Sequence, residues 1–347
     1  MFVNKRFNTK IDIEASQIYA GGGIVLLELL IKYASLNNIP LRVYIGYDNV
    51  YKKLFKYQSA FIELKKTSIL KTFVRYIKRR KHVLFFCNLP PLAYCENSLL
   101  YIHNLFYVQK PIWSPKDASF GLNIRKYLYH YWISKFINNV PIVACQTDEM
   151  ERLIKSNYNK NAFVLPFFEQ IEARVFAKNK KVDFFYPASA GSHKNIIRLL
   201  RAVEVVSLKK DISLALTIRT ANAELLELIQ SINNKRGKEI VVNLGEIEHK
   251  DVITWLMQSK ALIFPSLKES LGLPLIESLQ LGIPVISSDL PYTYDIISNP
   301  ITFNPYDHMD IAAKMSDFID GKYVLIKQSL KLSSKIDYVF DLLNGQY

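Results

Sequence analysis

Apolar runs of strand length alternate with helix-length stretches from Ile11 onward, and the alternation starts afresh after residue 181. Strands separated by helices pair in parallel, and a parallel sheet needs helices over both of its faces. "KIDIEASQIY" reads as a strand, Gly21-Gly22-Gly23 as a turn, "IVLLELLIKYASLNN" as a helix and "LRVYIG" as the next strand, which completes a βαβ unit. "HVLFFCN", "LLYIHN" and "PIVACQ" extend the first set of strands. The second set runs from "KVDFFYPAS" through "ISLALTI", "EIVVNLG" and "ALIFPS" to "PVISS", with helical stretches between them. The expected fold class is therefore α/β, with two doubly wound parallel-sheet domains. Residues 1–168 form the first, 169–181 a polar linker, 182–325 the second, and 326–347 a helical segment that can pack back on the first domain.

With 347 residues, half of them hydrophobic, the chain has the material for two cores of ordinary size. Three cysteines, Cys87, Cys95 and Cys145, lack metal-ligand spacing and indicate neither a disulfide framework nor a metal site. The N-terminus has no apolar leader-like run, and "GGGIVLLELLIKYA" is interrupted by Glu28 and Lys32 before membrane-spanning length, so a cytoplasmic protein is expected. The formal charge of +14 is uneven: from Tyr51 to Lys81 eleven Lys or Arg face one acid, Glu63, a net +10. There Ile69, Leu70, Phe73, Val74 and Ile77 fall on one side of a helix and Lys71, Arg75, Lys78 and Arg79 on the other. Such a helix can lie on an anionic membrane, bind nucleic acid, or be a solvated face docked by its apolar side. No recognition motif accompanies the charge, so nucleic acid is not expected as a partner.

In open parallel sheets ligands bind beyond the carboxyl ends of the strands, which singles out three loops. Gly21 to Gly23 is either a tight turn or a loop that lets a ligand approach the backbone; it lacks the spacing and downstream acid of a dinucleotide site. In "PASAGSHKN", Ser192 reads as an N-cap with Lys194 in the first helical turn, where a cation opposes the helix dipole unless it turns to solvent or meets a bound anion. The third loop, "FPSLKESLGLPLIESLQLGIPVISS", has a helix opening at Pro274 and closing at Gly282, with Glu269 in the loop and Glu277 in the first turn. Two such acids can serve the helix dipole, or they can accept hydrogen bonds from sugar hydroxyls on either side of a phosphate held by the amides between them.

"KESLGLPLIESLQLGIPVISSD" resembles the E-x7-E signature of the family 4 retaining glycosyltransferases, which have the GT-B fold: two Rossmann-like domains facing across a cleft. "FPS", "NLGEIEHKDVITWLMQSKALIF" and "PASAGSHKN" fit the same pattern, well over residues 180–320 and loosely before them. "FFCNLPPL" and "YIHN" are similar to bacterial members that build O-antigen, capsule or exopolysaccharide.

The resemblance implies a hexosyltransferase that moves a sugar from a UDP- or GDP-sugar to a lipid-linked or oligosaccharide acceptor with retention, without a metal or other cofactor. It implies that Glu277 holds the ribose, Glu269 the donor sugar, and the backbone around Ser270, Gly272 and Leu273 the diphosphate. Lys194 would neutralise the leaving group, Gly22 or Gly23 would approach it from the other domain, and His103 would contact the sugar near the reacting carbon. The family's usual arginine before the lysine is missing; Arg219 of "LTIRT" either replaces it or is solvated. A lipid-linked acceptor would place the protein on the inner face of the cytoplasmic membrane, held through residues 65–81. A related GT-B epimerase or phosphorylase, or a basic nucleic-acid-binding protein, is the alternative.

Overall fold

Seven strands, β1 (Ile11–Ala15), β2 (Leu41–Ile45), β3 (Ile62–Lys66), β4 (Val83–Phe85), β5 (Leu99–Ile102), β6 (Ile142–Cys145) and β7 (Phe163–Val164), form one sheet in the order β3-β2-β1-β4-β5-β6-β7. Every pairing is parallel, with Ile13 opposite Val43 on one side and Leu84 on the other. The computed structural model describes residues 9–110, 120–171, 180–188, 191–219, 223–323 and 325–345. They divide into two units, Met1–Glu169 with Ser333–Tyr347 and Gln170–Leu332. Of the expected linker, residues 172–179 lie outside the described set.

Strand β3 is absent from the sequence reading because "IELKK" ends on two lysines. It lies at the sheet edge, where lysine is tolerated and discourages further pairing: Lys65 reaches Glu63 and Lys66 reaches Asp48. The C-terminal residues belong to the first unit from Ser333, not from 326. The Lys335 amide donates to Pro166 O, Phe340 stacks on Tyr33 with ring centroids 5.3 Å apart, and His82 meets Leu343 O at 3.0 Å.

The basic segment differs most from expectation. Its helix, Ile69–Tyr76, is capped by Ser68, whose Oγ accepts from the Lys71 amide. The polar side, not the apolar side, is what holds it to the sheet. Glu14 of β1 is fully buried, and Arg75 reaches it through Nε at 2.6 Å and Nη2 at 3.0 Å. Arg80 also donates to Glu14 and to Asp12, the latter at 2.6 Å. The Arg75 guanidinium lies 3.9 Å from the centroid of the Tyr44 ring. A buried carboxylate demands such partners, so the helix is oriented by charge, and its apolar residues point outward: Ile69 and Leu70 are 89% and 79% exposed, and Phe73, Val74 and Ile77 are exposed too. Of the eleven cations, Lys53, Lys56, Lys65, Lys66, Arg75, Arg80 and Lys81 pair with carboxylates. Lys71, Lys78 and Arg79 are exposed and make no ion pair among the described residues.

The second unit carries β8 (Val182–Tyr186), β9 (Leu214–Leu216), β10 (Val241–Asn243), β11 (Ser259–Phe264), β12 (Val285–Ser288), β13 (Ile297–Ser298), β14 (Ile301–Phe303) and β15 (Ser329–Leu330). The sheet order is β10-β9-β8-β11-β12-β14, all parallel, while β13 and β15 form a separate antiparallel pair. The chain builds outward from β8 to β10, then returns over the sheet to lay β11 on the other side of β8. The switch point, where adjacent strands lead their loops in opposite directions, therefore falls between β8 and β11, with Phe185 opposite Leu262.

Candidate active site

The switch point explains which loops meet. Lys194 follows β8 and Glu269 follows β11, and because those strands are neighbours the two side chains join: Lys194 Nζ lies 2.6 Å from Glu269 Oε1. Ser192 is not the helix cap. Residues Ser192–Lys194 form a separate 3₁₀ turn, Asn195 adopts a left-handed φ of 58°, and the helix starts at Ile196. Lys194 thus stands before the helix rather than inside its first turn, which relieves the clash with the helix dipole. The turn is tied down by three groups: Tyr186 donates its hydroxyl to Lys194 O, the Leu267 amide donates to His193 O at 2.7 Å, and Asn195 Nδ2 donates to Pro265 O and Pro305 O. Ser189 and Ala190 of this loop lie outside the described residues.

The loop after β11 ends at Gly272, which has a φ of 65° and caps the helix Leu273–Gln280. A Cβ there would sit 3.0 Å from Leu275 Cδ1 on top of the backbone strain. The Leu275 amide is used by Gly272 O and Pro274 has no N–H, so the amides of Gly272 and Leu273 are left without an acceptor among the described residues. Helix N-termini of this kind receive anions. Ser270 precedes this pair in the same loop.

Glu277 is the fifth residue of that helix, one position further in than a start at Pro274 would make it, and only 6% exposed. Its Oε1 lies 2.7 Å from His249 Nε2. Sequence reasoning missed His249. The returning connection from β10 supplies it, at the first position of the helix His249–Gln258, and nothing in "GEIEHKD" announces that it will meet a glutamate 28 residues on. Asn243 steadies that connection by accepting from the Ile218 and Gly245 amides and donating to Ile218 O. Arg219 pairs with Glu246 at 2.7 Å, and both side chains are more than half exposed.

In the first unit the loops after β1, β4 and β5 border the corresponding switch point, between β1 and β4. Gly21 has a φ of 64° and caps the helix Gly22–Leu36, so Gly22 and Gly23 are helical rather than part of a turn. A Cβ on Gly23 would lie 3.4 Å from His103 Cε1, which brings two of the expected residues together. His103 stacks on Phe86 at 4.5 Å, and its amide donates to Asn88 Oδ1. Nε2 of the ring lies 3.0 Å from Phe86 O and 3.2 Å from Asn88 Nδ2; the carbonyl only accepts, so its contact uses the tautomer with the proton on Nε2, whereas donation by Asn88 uses the other. Burial pushes the His103 pKa down to about 4, so the imidazole is neutral at physiological pH. Burial pushes the Cys87 and Cys145 thiols up to about 12, which removes them as nucleophiles. Among the described residues no group of three or more His, Cys, Asp or Glu could hold a metal ion, and no helix is long and apolar enough to cross a membrane.

Two parallel-sheet α/β units, one with a lysine and a glutamate paired at its switch point beside a glycine-capped helix, make up a fold of the GT-B class. More particularly, residues 167–335, a little under half of the chain, match the family model described as Glycosyl transferases group 1. Among curated proteins the O-antigen chain mannosyltransferase RfbU of Salmonella typhimurium is 23% identical over 216 residues, which span 61% of this chain and 58% of that protein. An uncharacterized 41.2 kDa protein in the cps region of Klebsiella pneumoniae is 23% identical over 155 residues, 45% of this chain and 36% of that one. Of solved structures, Anabaena Alr3699/HepE in complex with UDP and glucose has a TM-score of 0.66 at 13% identity, covering 97% of this chain and 93% of that one. The sucrose-phosphate synthase of Thermosynechococcus elongatus has a TM-score of 0.62 at 12% identity, covering 98% and 93%. At such identities the structural likeness speaks for the fold.

Proposed function

We propose that this protein is a retaining glycosyltransferase that moves a hexose from a nucleoside-diphosphate sugar to a lipid-linked glycan of a bacterial surface polysaccharide. The observation that carries the reading is the Lys194–Glu269 pair beside the unused amides of Gly272 and Leu273. A diphosphate is received by the amides and by Lys194, whose ammonium leaves Glu269 for the anion. Glu269 is then free to accept hydrogen bonds from the sugar, and Glu277 from the ribose. Charge that develops on the departing diphosphate meets donors already in place, which lowers the barrier without costly reorganisation. Lys194 and the helix amides serve the leaving group without a metal. Support for the substrate class comes from the group 1 match and from relatives named for UDP, UDP-glucose and O-antigen chains.

The outward apolar side of the helix Ile69–Tyr76, flanked by the unpaired Lys71, Lys78 and Arg79, supports a peripheral position on an anionic membrane. A second exposed stripe, Ile124, Tyr127, Leu128 and Tyr131, repeats at helical spacing on Phe120–Phe136, and tyrosine favours the membrane interface.

The experiment is a panel of UDP- and GDP-sugars scored for protection against thermal unfolding, followed by nucleotide release with and without a glycan acceptor. Protection by one donor and release that requires the acceptor are expected. Protection by none of them, or release indifferent to the acceptor, overturns the reading.

A further inference from the structure

We propose that His249 is the positioning residue of the nucleotide site: it fixes one oxygen of Glu277 so that the other is presented to the ribose. The inference rests on the reading that the second unit binds a nucleoside diphosphate, and it adds a residue to that site. A carboxylate oxygen only accepts, so the 2.7 Å contact requires the proton on His249 Nε2. With Oε1 committed, Oε2 of Glu277 accepts no hydrogen bond among the described residues, although the residue is 94% buried by an exposure of 6%. An acceptor left open on a residue otherwise held in the packing is available to a hydroxyl donor from a ligand.

The local build supports a positioning role over a packing one. Glu277 lies on a helix whose neighbours Leu275, Ile276 and Ser278 are buried, so its backbone is fixed, but the carboxylate can still turn about its last torsion. His249 removes that freedom. The imidazole comes from the opposite direction along the sheet, on the connection that leaves β10, and it is held at a helix start rather than in a free loop. A donor ready for the carboxylate before the ligand arrives lowers the ordering cost of binding.

The test compares wild type with His249→Phe, which keeps a ring and loses the donor, and His249→Gln, whose amide can replace the Nε2 donor. The probes are UDP and GDP, used with the 2′,3′-dideoxy form of whichever binds, and affinity is read by calorimetry. His249→Phe is expected to weaken the ribonucleoside diphosphate about tenfold and the dideoxy form little, because the latter has no hydroxyl for Glu277 to accept. His249→Gln should recover most of the loss, and with donor sugar His249→Phe should raise KM more than it lowers kcat. Equal weakening of both nucleotides makes His249 a packing residue and overturns the proposal, as does unchanged affinity in His249→Phe. Failure of the wild type to bind either nucleotide overturns the underlying reading of the second unit, and the proposal with it.

Discussion

Lys194 Nζ and Glu269 Oε1 stand 2.6 Å apart although 75 residues separate them. The pair exists because β8 and β11 are neighbours, so a lysine in the loop after one and a glutamate in the loop after the other share a single crevice at the sheet's carboxyl edge. A cation and an anion held together neutralise one another, and in the proposed function a ligand with both a diphosphate and hydroxyls separates them.

Glu269→Gln should therefore lower turnover with donor saturating, by about 1.5 to 3 kcal/mol or roughly ten- to a hundredfold, the value of one charge-assisted hydrogen bond. Glu277→Gln should mainly weaken donor binding, because contact with the ribose is equal in ground and transition states. Steady-state kinetics with varied donor separates the two. An equal fall in kcat for both variants would falsify the division of roles.

Transfer should persist in EDTA. Lys194 and the amides of Gly272 and Leu273 are the groups proposed to meet the diphosphate charge, and none of them needs a divalent ion. Activity abolished by EDTA and restored by Mn²⁺ would count against this assignment of the leaving-group site.

His103 provides a pH test. Its pKa is pushed down to about 4 from an unfolded value near 6.5, so between these values the unfolded chain binds more protons and stability rises with pH. The contribution is complete above about pH 6.5, and roughly 3 kcal/mol is lost as pH falls through 4. His103→Asn should flatten the corresponding part of the melting-temperature profile relative to wild type. Parallel profiles for the two proteins between pH 7 and 4 would show that the neutral imidazole is not buried in this way.

The helix Ile69–Tyr76 separates membrane binding from folding. Reversing Lys71, Lys78 and Arg79 to Glu should release the protein from anionic liposomes without lowering its melting temperature, since none of the three side chains makes an ion pair among the described residues. Phe73→Ser should weaken binding that survives high salt, because salt screens charge and leaves apolar burial intact. Arg80→Glu should unfold the region instead, at about 3 to 5 kcal/mol, because it sets a second carboxylate against buried Glu14. Liposome sedimentation and thermal melts on the same variants distinguish the cases. A protein with Lys71, Lys78 and Arg79 reversed that sediments as well as wild type would rule out this helix as the anchor.

The alternation of strands and helices was legible in the residues themselves, because apolar periodicity is a local property, and so were the loop that holds Glu269 and Gly272 and the helix that carries Glu277. Gly272 could be placed at the turn that opens the helix because a glycine before Leu-Pro suits a backbone position with positive φ. What tertiary structure alone decided is which distant groups share a site. His249 meets Glu277 because the chain doubles back over the sheet, and no spacing encodes that. The basic segment shows the same limit more sharply: its amphipathic pattern is real, but the side facing the protein is set by Glu14, a residue from another strand. Hydrophobic periodicity predicts which side chains share a face, whereas the direction of that face is chosen by the costliest group to leave unpaired, and here that group is a buried carboxylate.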